Sequence, residues 1–493
     1  MAITTNTFSR NSGYAQTDVI YQMEEALTWL GWHGGSVSGI VTGINAYSGG
    51  GTGPISDTLY SAFPSSGGTN IGIGSTASFY LDTDGSGNIE KVLVNRPGAG
   101  YVDGDSLTIS AGDQWTGDAN VTLTVYTDES TYGSSSTFYS KDVTESVTHP
   151  WGVLRKVNDA TKVYGDTYYG FQVDGTGNRM LINAGSSFMP YTQESGNVSD
   201  DKAIGSATRF AGEYALDVSP LETPPFNNEY ENNSLNVDMR VMQSGDYIDY
   251  ASSPATFQMD LNVYKSGIDP NFAVFAYREP YKPATSILSN NYSVFFLHNF
   301  TTNFYDLDYV FQAGCTYIER LSSTDPGLRF RTCLSPHDYS SGQEYPAKRS
   351  AGTGYMRFST SENAESMIYD SYMSSTYPAG NASEFSDVYF YHRDHTGRSG
   401  SPFTPLDSGN TVAPQADYNA VIKGIPLSAK LVPCPYYLPD DFVLINFDYA
   451  SPDQNIQQGD TITISGSEIY TIITADYNQT TRTRGIAFCA RTT

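Results

Sequence analysis

Positive charge is scarce in this chain. Lys and Arg number 27 against 53 Asp and Glu, a net charge of −26 at pH 7. Such a balance offers no basic footprint for phosphates, so nucleic acid is not an expected partner. Charge of either sign is thin, at 16% of residues, against roughly 25% in ordinary globular proteins. No apolar run approaches the ~18 residues of a spanning helix, so membrane insertion is not expected. Residues 1–6, Met-Ala-Ile-Thr-Thr-Asn, carry neither the basic nor the apolar stretch of a secretory signal, and synthesis in a cytoplasm is expected. Cysteines are few, at 315, 333, 434 and 489, with no CxxC or CxxH spacing, so a zinc site has little support. Cys315 and Cys333 could pair, but a cytosol-made protein is expected to keep free buried thiols.

Catalytic signatures are missing too. There is no P-loop and no dinucleotide fingerprint. Gly185-Ser186 and Gly205-Ser206 lack the second glycine of a nucleophile elbow. The acidic residues are too numerous to single out a glycosidase pair. No catalytic residue, metal or cofactor is assigned, and no enzymatic activity is expected.

What the chain does hold is Gly (46), Tyr (38), Phe (24) and abundant Ser, Thr and Asn over 493 residues. That is enough for about two to four domains. The fold class expected is mostly β, a set of sandwich- or barrel-like units with one N-terminal amphipathic helix.

The helix lies in residues 18–32, where Val19, Ile20, Met23, Ala26, Leu27 and Leu30 recur at helical spacing. Thr17 or Asp18 can cap it, and Gly31 or Gly34-Gly35 can end it. One reading is a surface helix packed on its own domain. The other is a docking element for a second subunit, presenting Val19, Ile20, Met23, Leu27, Trp29, Leu30 and Trp32; two tryptophans near one end suit an interface. The docking reading is adopted for residues 1–33.

Residues 34–76 are rich in Gly, Ser and Thr and read as an arm or linker that orders on a neighbour. Residues 77–127 switch to a period of two. Ala77, Phe79 and Leu81 alternate with polar neighbours, as do Val121, Leu123 and Val125. That is a small β module. A Ser/Thr/Tyr linker at 128–146 leads to a large all-β region at 147–430, in which residues 364–373 are a weak helix candidate. A C-terminal β unit follows at 431–493. One internal echo joins the small units: residues 104–110, GDSLTIS, match 459–465, GDTITIS, at five of seven positions. Glycine takes a positive φ, Asp bonds the following backbone, and an alternating strand starts at once.

Three constellations invite chemistry. Residues 82–90 place acidic side chains at alternate positions, as a calcium loop does. They lack the bidentate Glu and the flanking helices, so a hairpin turn is expected. His392 and His395 follow a strand, on which they would point to opposite faces, so a polar loop is expected. The aromatic runs 164–171 and 303–309 mix rings with acids and amides. They suit subunit contact or core, and also a glycan surface.

Residues 81–105 carry the pattern G-x-I-x-x-V-x-V followed by G-x-G-Y-x-x-G-D. This resembles a small β module seen repeatedly in structural proteins of tailed phages, especially marine cyanophages. Residues 458–464 and 485–491 are similar to the C-terminal β unit of virion proteins in the same group. The resemblance implies a virion structural protein in the tail, baseplate or a peripheral fibre. Its partners would be other virion proteins and further copies of itself, with a host-surface glycan if it is an adhesin; head decoration is the other structural option.

Overall fold

The computed structural model describes residues 2–10, 16–50, 59–64, 66–67, 77–84, 86, 88–111, 119–133, 138–144, 149–157, 166–173, 179–185, 187–190, 209–211, 235–238, 259–277, 294–301, 309–318, 327–334, 353–359, 366–372, 389–391, 403–405, 418–432, 439–449, 456, 458–477 and 484–493. Among them the protein is mostly β, with several sheets and one helix.

The helix spans Gln16–Leu30. Thr17 and Asp18 therefore lie inside its first turn rather than capping it, where Asp18 still complements the helix dipole. Its C-terminus closes as a Schellman motif. Trp32 N–H donates to the Leu27 carbonyl and Gly31 N–H to that of Thr28, both at 3.0 Å. Gly31 makes the turn at φ 72° with open space around it, so the backbone angle alone requires glycine there.

The helix fills the space between two sheets. One is eight-stranded and antiparallel, in the order Thr4–Arg10, Met259–Lys265, Phe272–Tyr277, Val294–Thr301, Tyr309–Ile318, Gly327–Leu334, Thr353–Ser359 and Ser366–Tyr372. The other has five strands, in the order Leu235–Asp238, Arg179–Gly185, Asp166–Val173, Trp151–Val157 and Phe138–Asp142. Val19, Ile20, Met23, Ala26, Leu27, Leu30 and Trp32 share one core with Leu154, Tyr169 and Phe171 of the second sheet and Leu261, Val263, Phe275 and Phe295 of the first. The segment 128–146 is therefore not wholly a linker, because it contributes an edge strand. Residues 364–373 include a strand, not a helix; pairing with Thr353–Ser359 overrides the local helical pattern.

The outer face of the five-stranded sheet is covered as well. Val153, Tyr168 and Trp151 pack with Val37, Ile40, Tyr139 and Phe188. Burial on both faces explains why Trp151-Gly152-Val153-Leu154 shows no alternation.

The small module is a two-sheet sandwich, and it starts earlier than residue 77. Ile40–Gly49, Val121–Asp128, Ser106–Ile109 and Ser66–Gly67 form one sheet; Leu59–Pro64, Ser78–Thr83 and Ile89–Arg96 form the other. The Gly-rich segment thus supplies strands to its own chain rather than serving as a free arm. Its glycines allow close approach. A Cβ on Gly39 would stand 2.2 Å from the Tyr101 carbonyl oxygen, and one on Gly49 2.2 Å from that of Asn120.

The C-terminal unit is a closed six-stranded barrel: Tyr418–Ile422, Ile425–Val432, Phe442–Tyr449, Arg484–Arg491, Glu468–Tyr477 and Thr461–Ile464, which pairs back onto the first. It begins at Tyr418, ahead of the boundary expected at 431. No helix among the described residues is long and apolar enough to cross a membrane.

Candidate functional site: a buried polar joint

The residues expected at a docking interface are inside. Val19, Ile20, Met23 and Leu27 are fully buried, and Leu30 and Trp32 are nearly so. Trp29 alone is partly exposed, set edge-on to Phe8 at 6.3 Å. The helical stripe is used by the chain's own sheets because both present apolar faces to it. A second subunit cannot reach it in this fold, which corrects the docking reading.

The edge beside the helix is guarded. Among the described residues Thr4–Arg10 pairs only with Met259–Lys265. Its free side is partly occupied by its own side chains: Thr7 N–H donates to Asn6 Oδ1 at 2.9 Å, and Arg10 donates to the Ser9 carbonyl at 3.3 Å. Side-chain capping of edge amides opposes strand addition there.

The polar chemistry concentrates instead on the turn between Met259–Lys265 and Phe272–Tyr277, residues 266–271, SGIDPN. Ser266 Oγ accepts from the N–H groups of Ile268 (3.1 Å) and Asp269 (2.9 Å), which folds the turn. The same hydroxyl donates to the Asp441 carboxylate, with Oδ1 and Oδ2 at 3.0 and 2.9 Å, and Gly267 N–H donates to Oδ2 at 2.7 Å. Asp441 is 1% exposed and precedes the first residue of barrel strand Phe442–Tyr449. A carboxylate out of water needs such donors. Beside it Phe272 meets Phe442 at 5.0 Å, and Phe442 stacks on Phe488 at 6.0 Å. The barrel is thus fixed to the eight-stranded sheet by one satisfied carboxylate and a ring cluster. Ile3 N–H, bonded to the Arg491 carbonyl at 3.2 Å, adds a backbone tie.

The other half of the turn faces the helix core. His298 Nε2–H donates to Asp269 Oδ2 at 2.8 Å, and Asn271 N–H donates to Asp269 Oδ1 at 2.9 Å. Lys156 Nζ donates to Asn271 Oδ1 at 2.7 Å and stands 4.6 Å from the centre of the Trp32 ring. Trp32 Nε1–H in turn donates to the Pro270 carbonyl at 3.1 Å. Burial pushes the Lys156 pKa down to about 8, with Asp269 pulling the other way. For Asp269 burial acts to raise the pKa, but the His298 hydrogen bond and charge, the Asn271 N–H and Lys156 together hold it below the usual carboxylate value.

No spacing in the sequence gathers Trp32, Lys156, Ser266, Asp269, His298 and Asp441. The one usable signal was the turn composition SGIDPN between two apolar strands. Of the other constellations, Asp84 Oδ1 accepts from Ser86 N–H (2.8 Å) and Asn88 N–H (2.9 Å), as a structural turn requires. Tyr168, Tyr169 and Phe171 point into the two cores and offer no glycan surface. His392, His395, Tyr164, Ser206 and residues 302–308 lie outside the described residues. Cys489 is buried and not in a disulfide. Compared with known proteins, the chain matches no family model, no curated protein and no solved structure.

Proposed function

We propose that this chain is a structural protein of a tailed-phage particle, working in the tail, baseplate or a peripheral fibre through contacts with neighbouring subunits. The resemblance of residues 81–105, 458–464 and 485–491 to phage virion proteins motivates the reading. The observation that carries it is the joint. Polar side chains are hydrogen-bonded within the chain where the barrel, the turn and the helix core meet. Asp441 is held by Ser266 and Gly267, and Asp269 by His298 and Asn271. That arrangement suits a body that transmits position and load between modules.

With the helix committed to the core, contact with neighbours falls to the outer surfaces of the sandwich, barrel and sheets. The strong negative charge keeps free subunits apart until a specific interface forms. Cryo-electron microscopy of the particle tests this. Density for the sandwich and barrel in contact with other subunits is the expected outcome. A purified chain that turns over a polysaccharide, or that no particle incorporates, would overturn it.

A further inference from the structure

One contact of the joint brings together two side chains of complementary reactivity. Lys156 comes from strand Trp151–Val157 of the five-stranded sheet, and Asn271 from the turn of the eight-stranded sheet. The Lys156 amine is 2.7 Å from Oδ1 of the Asn271 carboxamide, so the carboxamide carbon is one bond beyond the contact. Lys156 is 6% exposed, and the Trp32 ring covers it at 4.6 Å. The Asp269 carboxylate stands two residues away in the same turn, bonded to the Asn271 N–H and backed by His298. A buried amine, held against a carboxamide and beside a carboxyl, supplies the components of acyl transfer.

We propose that Lys156 and Asn271 join through an intramolecular isopeptide bond, formed by the chain itself with release of ammonia. The neutral Lys156 amine attacks Cγ of Asn271, and the carbonyl electron pair moves onto Oδ1. A proton passes from the attacking nitrogen to the carboxamide nitrogen. The old C–N bond breaks, ammonia leaves and the carbonyl re-forms. Starting from the lysine ammonium, the products are a secondary amide and an ammonium ion, so no oxidant, reductant or outside nucleophile is needed. Asp269, whose charge acts on Lys156, is a positioning residue that holds the turn through the Asn271 N–H with His298 behind it.

Position and protonation both favour the step. Groups held in contact react as though at very high concentration. Burial lowers the Lys156 pKa to about 8, so about one lysine in ten is neutral and nucleophilic at pH 7. Asp269 is the charged group acting on Lys156, and its negative charge opposes that lowering. The ring of Trp32 limits the water around the Lys156 amine. The bond would lock the two sheets together where the helix ends. The inference stands on this contact alone and does not depend on the phage reading.

Mass spectrometry of the purified full-length chain tests it, before and after incubation at about pH 9, above the Lys156 value of about 8. The expected mass falls short of the sequence by one ammonia. Trypsin cuts after Arg155, Lys162, Lys265 and Arg278 but not at an acylated lysine, so residues 156–162 should appear joined to 266–278. Lys156→Arg and Asn271→Ala should restore the full mass. Full mass in the native chain after the alkaline incubation would overturn the proposal. So would an ammonia deficit that persists in Lys156→Arg, since that places the loss in an asparagine succinimide. If either variant fails to fold, the tryptic map of the native chain decides alone: without the joined peptide there is no bond.

Discussion

The sandwich and the barrel begin a strand in the same way and end in different folds. In the sandwich, Gly104 at φ 84° donates its N–H to the Val125 carbonyl (2.9 Å), and Val125 N–H returns to the Asp105 carbonyl (3.1 Å). In the barrel, Gly459 at φ 87° donates to Ile472, and Ile472 returns to Asp460, both at 2.8 Å. The strands that follow, Ser106–Ile109 and Thr461–Ile464, alternate in and out identically. Beyond the turn the likeness stops. Among the described residues Ser106–Ile109 has a full partner on one side and only Ser66–Gly67 on the other, whereas Thr461–Ile464 is paired on both sides and closes a ring. The Asp side chains differ too: Asp105 Oδ2 accepts from Val102 N–H at 3.0 Å, while Asp460 pairs with Lys423 at 2.8 Å. Turn chemistry sets where a strand starts, and the partners brought from elsewhere decide what it builds.

The sharpest way to break this comparison is to hollow each core at the matched position. Leu107 and Ile462 are both fully buried, and Leu107→Ala or Ile462→Ala should cost about 2–5 kcal/mol. Hydrogen exchange should show the loosening confined to the unit that carries the change. Spread from barrel to sandwich would mean the two are not separate cores. Next, Gly39→Ala or Gly49→Ala drives a Cβ into a carbonyl at positive φ and should destabilise the sandwich by about 2–4 kcal/mol. Faster exchange at the amides of residues 121–125 would report it.

Asp441→Ala strips the acceptor from Ser266 and Gly267 and should cost about 2–3 kcal/mol through buried donors left unpaired. The readout is independent melting of the barrel in calorimetry. Gly104→Ala and Gly459→Ala meet no atom within 4 Å, so each should cost only the left-handed backbone penalty, about 1–2 kcal/mol. Equal shifts in denaturant midpoint would sharpen the equivalence of the two turns, and unequal ones would break it. Smallest is Lys423→Ala, which removes a partly exposed ion pair of the barrel turn. Its effect should vanish in high salt.

The alternation at Ala77, Phe79 and Leu81 and at Val121, Leu123 and Val125 was legible because one face of each strand is buried. The helix was legible from its stripe, but the stripe does not say what covers it. The covering sheets come from residues far along the chain, and the first strand, residues 4–10, TTNTFSR, reads as polar coil. Ile40–Gly49 was hidden by its glycines and by two register shifts, at Val41/Gly43 and Ile44/Ala46, which break the period of two. The strand at Tyr418–Ile422 forms a hairpin with Ile425–Val432, but the pairing that closes it into the barrel, with Thr461–Ile464, comes from some forty residues on, so it was lost in the central region. The joint was illegible for the same reason: its side chains come from the barrel, both large sheets and the end of the helix, and no linear spacing encodes that convergence.

The pairing of Thr4–Arg10 with Met259–Lys265 has a consequence for synthesis. The chain's first strand leaves the ribosome long before its partner exists. At ~5–20 residues per second the interval is roughly ten to fifty seconds. Until residues 138–185 of the five-stranded sheet emerge, the oily stripe of the newborn helix has no sheet to lie on, and its other side stays bare until Met259 onward is made. Chaperones in the producing cell would have to shield that stripe, and this stretch, more than any later one, would set how much of the translated polypeptide escapes clumping.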